Sequence, residues 1–301
     1  MIYNMPEYWL MKNAELTEHY LTFSSPSSFT LKVNDATKHW NGTLEYSTDT
    51  STWSTWDGTT TLSSATSGSD NVLYLRGTGN TVITGNNTKH RWAFAGTDVK
   101  CKGNIENLLD YATVESGDHP TMANYCYAYM FQNCTRLTQA PDLSATTLAD
   151  ECYRNMFRGC TSLTQAPALP ATTLATGCYR HMFYSCASLT QAPALPATTL
   201  ATGCYSNMFR GCDCLAQVPS LPATTLADEC YRNMFCDCYE IKVSSTQTGE
   251  YTVAYRIPQS GEGTTATDAL TDMFSSTSGT FIGTPEINTT YYLSNTNTVV
   301  S

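Results

Sequence analysis

The sequence predicts a mostly β, α+β fold. It reads as an N-terminal β-sandwich-like domain, then a short solenoid of about five coils, then a degenerate C-terminal cap. Three observations carry this. One phrase, Cys126-Tyr127 … Met130-Phe131 … Cys134, recurs from Cys152, Cys178, Cys204 and Cys230 at a fixed step of 26 residues, and a period of that size is the signature of stacked repeats. Ahead of it lie short β-branched and aromatic runs broken by turn residues, the pattern of a small sandwich. Beyond Cys238 the rhythm breaks, and the next Met-Phe pair, Met273-Phe274, comes 39 residues after Met234-Phe235 instead of 26.

Taken in order, residues 1–20 form an apolar-rich leader holding Met1, Tyr3, Met5, Trp9, Leu10 and Met11, either an attachment segment for a larger assembly or a strand of the neighbouring domain. Residues 21–102 carry the β signals. Strands are expected at residues 21–23, 29–33, 43–47, 53–56, 72–76, 81–83 and 91–95, with turns at Ser25-Pro26, Asp57-Gly58 and residues 77–80. Trp40, Trp53, Trp56 and Trp92 either fill the core of this domain or offer an aromatic platform for a sugar. Residues 103–124 are a junction whose segment 104–110 reads as a short helical turn covering the first coil. The solenoid spans residues 125–242. Residues 243–301 hold an insertion with a strand near 251–257, a worn sixth repeat without cysteines at 264–285, a last strand at 290–293 and a frayed polar tail.

Within one repeat, Tyr179, Met182, Phe183 and Cys186 fall at i, i+3, i+4 and i+7, which predicts one face of a helical turn. The segment from Leu189 to Pro196 is extended, because Pro193 and Pro196 forbid helix. Stacking five coils at strand spacing gives a ladder about 24 Å long. Like residues then fall into columns: Phe131, Phe157, Phe183, Phe209 and Phe235; Leu137, Leu163, Leu189, Leu215 and Ile241; and Leu148, Leu174, Leu200 and Leu226.

The phrases Tyr-Arg-Asn-Met-Phe-Arg-Gly-Cys at 153–160 and Cys-Thr-Ser-Leu-Thr-Gln-Ala-Pro-Ala-Leu-Pro at 160–170 resemble the BspA-like leucine-rich repeat family. That family places an aromatic before Gly-Cys, then Ser-Leu and a strand ending in Pro. The resemblance covers residues 125–293 well and the N-terminal part loosely, and the period of 26 is longer than the family's common one. It implies a leucine-rich-repeat solenoid of the kind found in surface adhesins of gut and oral bacteria and in phages of gut Bacteroidetes. The function it implies is non-enzymatic binding of a cell-surface glycan or protein, as a phage virion fibre or decoration component or as a bacterial surface adhesin. A purely structural or assembly subunit of a virion, or a homo-oligomer, is the other reading. Either way the place implied is extracellular, on a virion or cell surface.

Composition is in keeping with that. Charged residues are only 14% and the formal net charge is −10, so the long-range field opposes nucleic acid and anionic membrane, and no nucleic-acid partner is expected. No apolar run reaches membrane-spanning length, so no membrane insertion is expected. The leader has no basic region ahead of an apolar one, so no secretion signal is read there; the chain either waits in the cytoplasm until assembly or lysis, or a signal has been removed.

The 13 cysteines mostly form two columns, Cys126/152/178/204/230 and Cys134/160/186/212/238. They read as buried thiols acting as small hydrophobes. Cross-coil disulfides are geometrically conceivable, but five cannot pair within one column. Cys212, Cys214, Cys236 and Cys238 bring four thiols to adjacent coils, at a spacing poor for zinc; no metal and no cofactor is expected. His181 lies between Cys178 and Cys186, but its counterparts are Asn155, Asn207 and Asn233, which reads as a polar rim and not a nucleophile pair. Asp150, Glu151, Asp228 and Glu229 sit on a repeat edge and read as solvated. No phosphate loop, His-Glu-x-x-His or Gly-x-Ser-x-Gly is present, and no catalytic residue is assigned. The candidate binding face is therefore the outward row Arg154, Asn155, Arg158, Arg180, His181, Tyr184, Asn207, Arg210, Arg232 and Asn233, set against a merely solvated face.

Overall fold

The computed structural model describes residues 20–300; all but the last residue of the expected leader lies outside them. Among the described residues the chain is mostly β, with one short α-helix and one 3-10 turn. Seven strands make the largest sheet: β1 (Leu21–Ser25), β3 (Thr43–Ser47), β4 (Ser54–Thr55), β6 (Ala65–Ser67), β7 (Asp70–Thr78), β9 (Val99–Lys102) and β10 (Leu137–Gln139). They run in the order β10-β9-β1-β7-β3-β4, with β6 also on β7. Facing it is a three-stranded sheet of β5 (Leu62–Ser63), β2 (Thr30–Val33) and β8 (Trp92–Ala95). Phe23 of the first meets Phe94 and Trp92 of the second at ring separations of 5.1 and 6.4 Å. Trp40, Trp56 and Trp92 are buried in this core. Trp53 is half-buried under the Arg76 guanidinium, 4.1 Å from its ring. The aromatic platform is thus reduced to one covered ring.

Helix α1 (Asn107–Glu115) is longer than expected and is broken at Asp110 (φ −155°, ψ 100°). The Asp110 carboxylate restarts it by accepting the Thr113 N–H at 3.1 Å, as an N-cap does. The helix lies so close to β7 that a β-carbon on Gly77 would stand 1.7 Å from the Leu108 carbonyl oxygen. The run at 81–83 is not a strand. Instead, Ile83 and Trp92 give their N–H groups to the Cys126 and Met130 carbonyls at 2.9 and 2.7 Å.

The repeats are not helical, which corrects the expected turn of helix. In residues 151–160 the backbone amides alternate. Tyr153, Asn155, Phe157 and Gly159 donate to Cys178, Arg180, Met182 and Tyr184 of the next coil, at 2.8–3.0 Å. Arg154, Met156, Arg158 and Cys160 donate three residues back within their own coil, at 3.0–3.2 Å. An α-helix keeps its amides to itself and offers none to a neighbour. This chain of overlapping turns gives half of them away. The geometry needs a left-handed residue at every fourth position: Glu151 (φ +55°), Asn155 (φ +55°) and Gly159 (φ +73°), then Gly177, His181 and Ser185, then Gly203, Asn207 and Gly211. Gly, Asn and Asp tolerate that region best. Side chains are consequently buried in pairs with a period of four, Cys152-Tyr153, Met156-Phe157 and then Cys160.

Like residues do lie over like residues. The Phe131, Phe157, Phe183, Phe209, Phe235 column stacks at 5.7–5.8 Å between ring centres, and Phe274 extends it by another 5.8 Å. A tyrosine column, Tyr127 to Tyr231, runs beside it at 5.6–5.8 Å. Phe131 also stacks on Phe94 at 6.3 Å, so one continuous apolar core joins the sheets to the coils. From coil to coil the extended legs are joined by isolated bridges, among them Gln165 to Gln191, Gln191 to Gln217 and Thr173 to Thr199, because Pro167, Pro193 and Pro196 lack the N–H that a ladder requires.

After the fifth coil, strands β13 (Tyr251–Arg256), β15 (Thr290–Ser294), β12 (Lys242–Ser244) and β14 (Ser278–Gly279) form a sheet in that order. The sixth coil keeps register despite the 39-residue step: Tyr231, Asn233 and Phe235 donate to Ala269, Thr271 and Met273 at 2.9–3.0 Å. The tail is not frayed through residue 300. Strand β16 (Thr298–Val300) pairs in parallel with β11 (Gln217–Pro219). Buried Asn297 pins it through the Ala216 and Glu240 carbonyls and the Lys242 N–H, at 2.9–3.1 Å.

Candidate functional site

The alternating turns carry two positions per coil, one after each buried pair. Down the stack these hold Arg154 and Arg158, then Arg180 and Tyr184, then Ser206 and Arg210, then Arg232 and Cys236; Ser206 and Cys236 are buried and the other six reach the surface. Tyr184 is the centre of this patch. Arg158 of the coil before lies over its ring at 4.7 Å and Arg210 of the coil after at 5.9 Å, in reach of a cation–π attraction. The His181 ring stands 5.7 Å from the same tyrosine. Arg154 pairs with Glu151 at 2.8 Å, Arg210 with Asp237 at 3.0 Å, and Arg232 with Glu229 at 3.4 Å and Asp268 at 3.8 Å. Among the described residues Arg158 and Arg180 have no carboxylate partner.

Polar capacity is left over in the same place. Arg154 Nε, Arg180 Nε, His181 Nδ1 and Asn155 Oδ1 are buried without a hydrogen-bond partner, a condition that costs free energy. Burial first, and then the charges of Arg180, Arg154, Arg158 and Arg210, push the His181 pKa down to about 4. His181 is therefore neutral at physiological pH, and the positive charge belongs to the guanidinium groups.

Not every expected member of the face points outward. Asn155 and Asn207 are 3% and 8% exposed, and Asn233 is half-buried. They occupy the left-handed positions together with His181, so the His/Asn alternation reflects backbone conformation and not a polar rim. The exposed or half-exposed members are Arg154, Arg158, Arg180, His181, Tyr184, Arg210, Arg232 and Asn233. The edge carboxylates are also more than solvated. Asp150 and Asp228 accept the N–H groups of Thr176 and Thr267 in the next coil at 3.0 and 2.9 Å.

Twelve cysteines are buried and all 13 are free; Cys214 is the exposed one. Burial drives the thiols up, Cys186 and Cys134 to about 12, so they are protonated and inert. The second column has a hydrogen-bonding reason to be cysteine: Cys160, Cys186, Cys212 and Cys238 donate S–H to the Phe131, Phe157, Phe183 and Phe209 carbonyls at 3.0–3.1 Å. The four thiols around Cys214 do not gather into a metal-binding group.

Two polar clusters escape sequence reading. Buried Glu106 accepts from His119 Nδ1 and Ser144 Oγ, each at 2.8 Å. Because the hydroxyl meets the carboxylate and not the imidazole, this is not a nucleophile relay. The second cluster is Asp35, His39 and His90; the step of four between Asp35 and His39 is the only local hint of it. Two grooves lie among Lys100, Gln139, Asp142 and Gln165 and among Ser220, Tyr255, Arg256 and Val299. No family model, curated protein or solved structure matches this chain.

Proposed function

We propose that this protein is a non-enzymatic binding protein whose arginine–tyrosine face recognises an anionic or hydrogen-bonding group on a cell-surface glycan or protein. The carrying observation is the unpaired Arg158 and Arg180 beside Tyr184, in a chain of net charge −10. Guanidinium groups are planar, always charged and matched to carboxylate and sulfate geometry. Grouping them without acidic partners costs self-repulsion that a bound anion relieves. We read the stack as a short leucine-rich-repeat solenoid of the BspA-like type, joined to a β-sandwich-like domain. Support for that reading is the 26-residue register of backbone hydrogen bonds and ring stacks. An adhesin on a virion fibre or a bacterial surface fits such a scaffold.

The test is binding of the full chain to an array of neutral, carboxylated and sulfated glycans and to intact cells, beside the double variant Arg158→Ala/Arg180→Ala. The expected result is a preference for anionic ligands that falls by about tenfold or more in the variant, ~1.4 kcal/mol or more. Equal binding by both proteins removes the face from the function. It would favour an assembly role, which light scattering of the full chain then reports as an oligomer.

A further inference from the structure

We propose that Asp35, His39 and His90 form a zinc site that ties the β2–β3 loop to the start of β8. The site is independent of the arginine face and arises from how the smaller sheet is built. Strands β2 and β8 pair antiparallel, with Val33 opposite Trp92. The chain leaving β2 therefore emerges beside the chain entering β8. Asn34 N–H donates to the Arg91 carbonyl at 2.9 Å, and this closes the end of the ladder. Asp35 and His39 sit on the first strand's exit, and His90 sits on the second's approach.

One ligand atom from each of the three lies within 4.8 Å of the other two. His39 Nε2 is 2.8 Å from Asp35 Oδ1, and all three residues are half-buried. The two imidazoles lie face to face, 3.3 Å between centres and 11° between planes. That is well inside the ~4.5–7 Å at which aromatic rings settle, and it superimposes π faces of like sign.

The tautomer of His90 is already set for this. Its Nδ1 faces the Thr84 carbonyl and donates to it, which leaves the Nε2 lone pair for a metal. A backbone carbonyl on the far nitrogen is the usual support of a zinc-bound histidine. Thr84 is itself fixed, its N–H on the Cys126 carbonyl at 3.1 Å and its hydroxyl on the Ala128 carbonyl at 2.7 Å. The site would thereby be anchored to the first coil. Neighbouring cations are turned away: Lys38 Nζ to the Gly42 carbonyl at 2.7 Å and Arg91 to the Thr88 carbonyl at 3.3 Å.

Two imidazole nitrogens and one carboxylate oxygen make a set that zinc accepts, with a fourth position for water. Binding splays the rings from parallel so that their in-plane lone pairs converge. His39 is the ring that turns, because its Nε2 must exchange the Asp35 and Thr37 contacts for the metal. It also shifts its proton to Nδ1, so no net charge is lost from the ring.

The experiment uses the full chain, freed of metal with a chelator and titrated with Co(II) and then with Zn(II) in competition. The expected result is one equivalent of Co(II) showing the visible absorption of a tetrahedral N/O site without a thiolate charge-transfer band, displaced by zinc. Affinity falls at least about tenfold in His39→Gln and in His90→Gln and is unchanged in Cys214→Ser. Thermal midpoint rises with zinc in the parent and not in the histidine variants. Absence of binding overturns the proposal. So does binding indifferent to both histidines, or a charge-transfer band lost with Cys214. If either histidine variant fails to fold, Asp35→Asn decides: unchanged zinc affinity there overturns it.

Discussion

Removing one ring from the middle of the phenylalanine column is the sharpest test of the stack. Phe183 is fully buried and lies 5.7 Å from both Phe157 and Phe209. Phe183→Ala loses the transfer energy of the ring and leaves a cavity that the coils on either side cannot close, since each is fixed by its own hydrogen bonds to the next. That is worth ~3–5 kcal/mol. Two ring contacts are lost as well, each worth ~0.5–1.5 kcal/mol beyond area, which places the total toward the upper end. A loss of that size is a large part of the ~5–15 kcal/mol that holds an ordinary domain together. Urea unfolding gives the magnitude, and native-state hydrogen exchange gives the place. The Phe157 and Phe183 amides, which donate to Met182 and Met208, should lose protection first, and the β1–β7 amides last, because stability in a stack is local. A loss below about 1 kcal/mol, or protection lost evenly along the chain, would refute the idea that the column is what couples the coils.

Other outcomes rest on the same geometry. Gly159→Ala should destabilise by more than ~1 kcal/mol, because the position is left-handed (φ +73°) and the new carbon would lie 2.3 Å from Asn133 Oδ1; thermal melts report it. Gly77→Ala should disturb more than one residue, since α1 must move off β7 to clear the Leu108 carbonyl, and helix and strand amides should both exchange faster. A thiol reagent on the native protein at mildly alkaline pH should modify Cys214 and leave the column cysteines untouched until denaturant is added, because burial holds Cys186 at about 12. His181 should make stability fall on acidification. Its folded pKa, about 4, lies below the ordinary 6.5, so the unfolded chain binds the extra proton as pH drops from about 6.5 to about 4. His181→Asn, the residue of the neighbouring coils, should flatten the thermal midpoint across that window and leave it unchanged above it.

What repeats is what the sequence makes legible. Phe131 to Phe235 align because identical side chains recur at one period, and identity at a fixed step needs no knowledge of the backbone. The backbone itself is harder to read. Tyr179, Met182, Phe183 and Cys186 satisfy the spacing of a helical face, yet Cys178-Tyr179, Met182-Phe183 and Cys186 also satisfy a period of four. Gly177, His181 and Ser185 distinguish the two, because a left-handed residue at every fourth position is incompatible with helix. The same ambiguity makes buried Asn155 and Asn207 look like surface contacts. Arg158, Tyr184 and Arg210 are legible as a face, but not the absence of acidic partners for Arg158 and Arg180, which depends on where Glu151 and Asp237 reach. His39 and His90 are far apart in the chain and meet only through the pairing of β2 with β8. Nothing local announces such a pairing, and the same holds for β16 on β11.

The alternation of amides gives the stack a direction. Along its turn segment each coil offers hydrogens toward the C-terminus and oxygens toward the N-terminus, so the two ends of that part of the stack are chemically unlike. The front end is completed by donors from Ile83 and Trp92, and the rear by acceptors, the Gly283 carbonyl and the Thr284 hydroxyl oxygen, for Phe274 and Asp272. Neither lid can serve at the opposite end. Duplicating a 26-residue unit between them would alter neither, so a gene of this kind can lengthen or shorten by whole units while its two closures stay as they are.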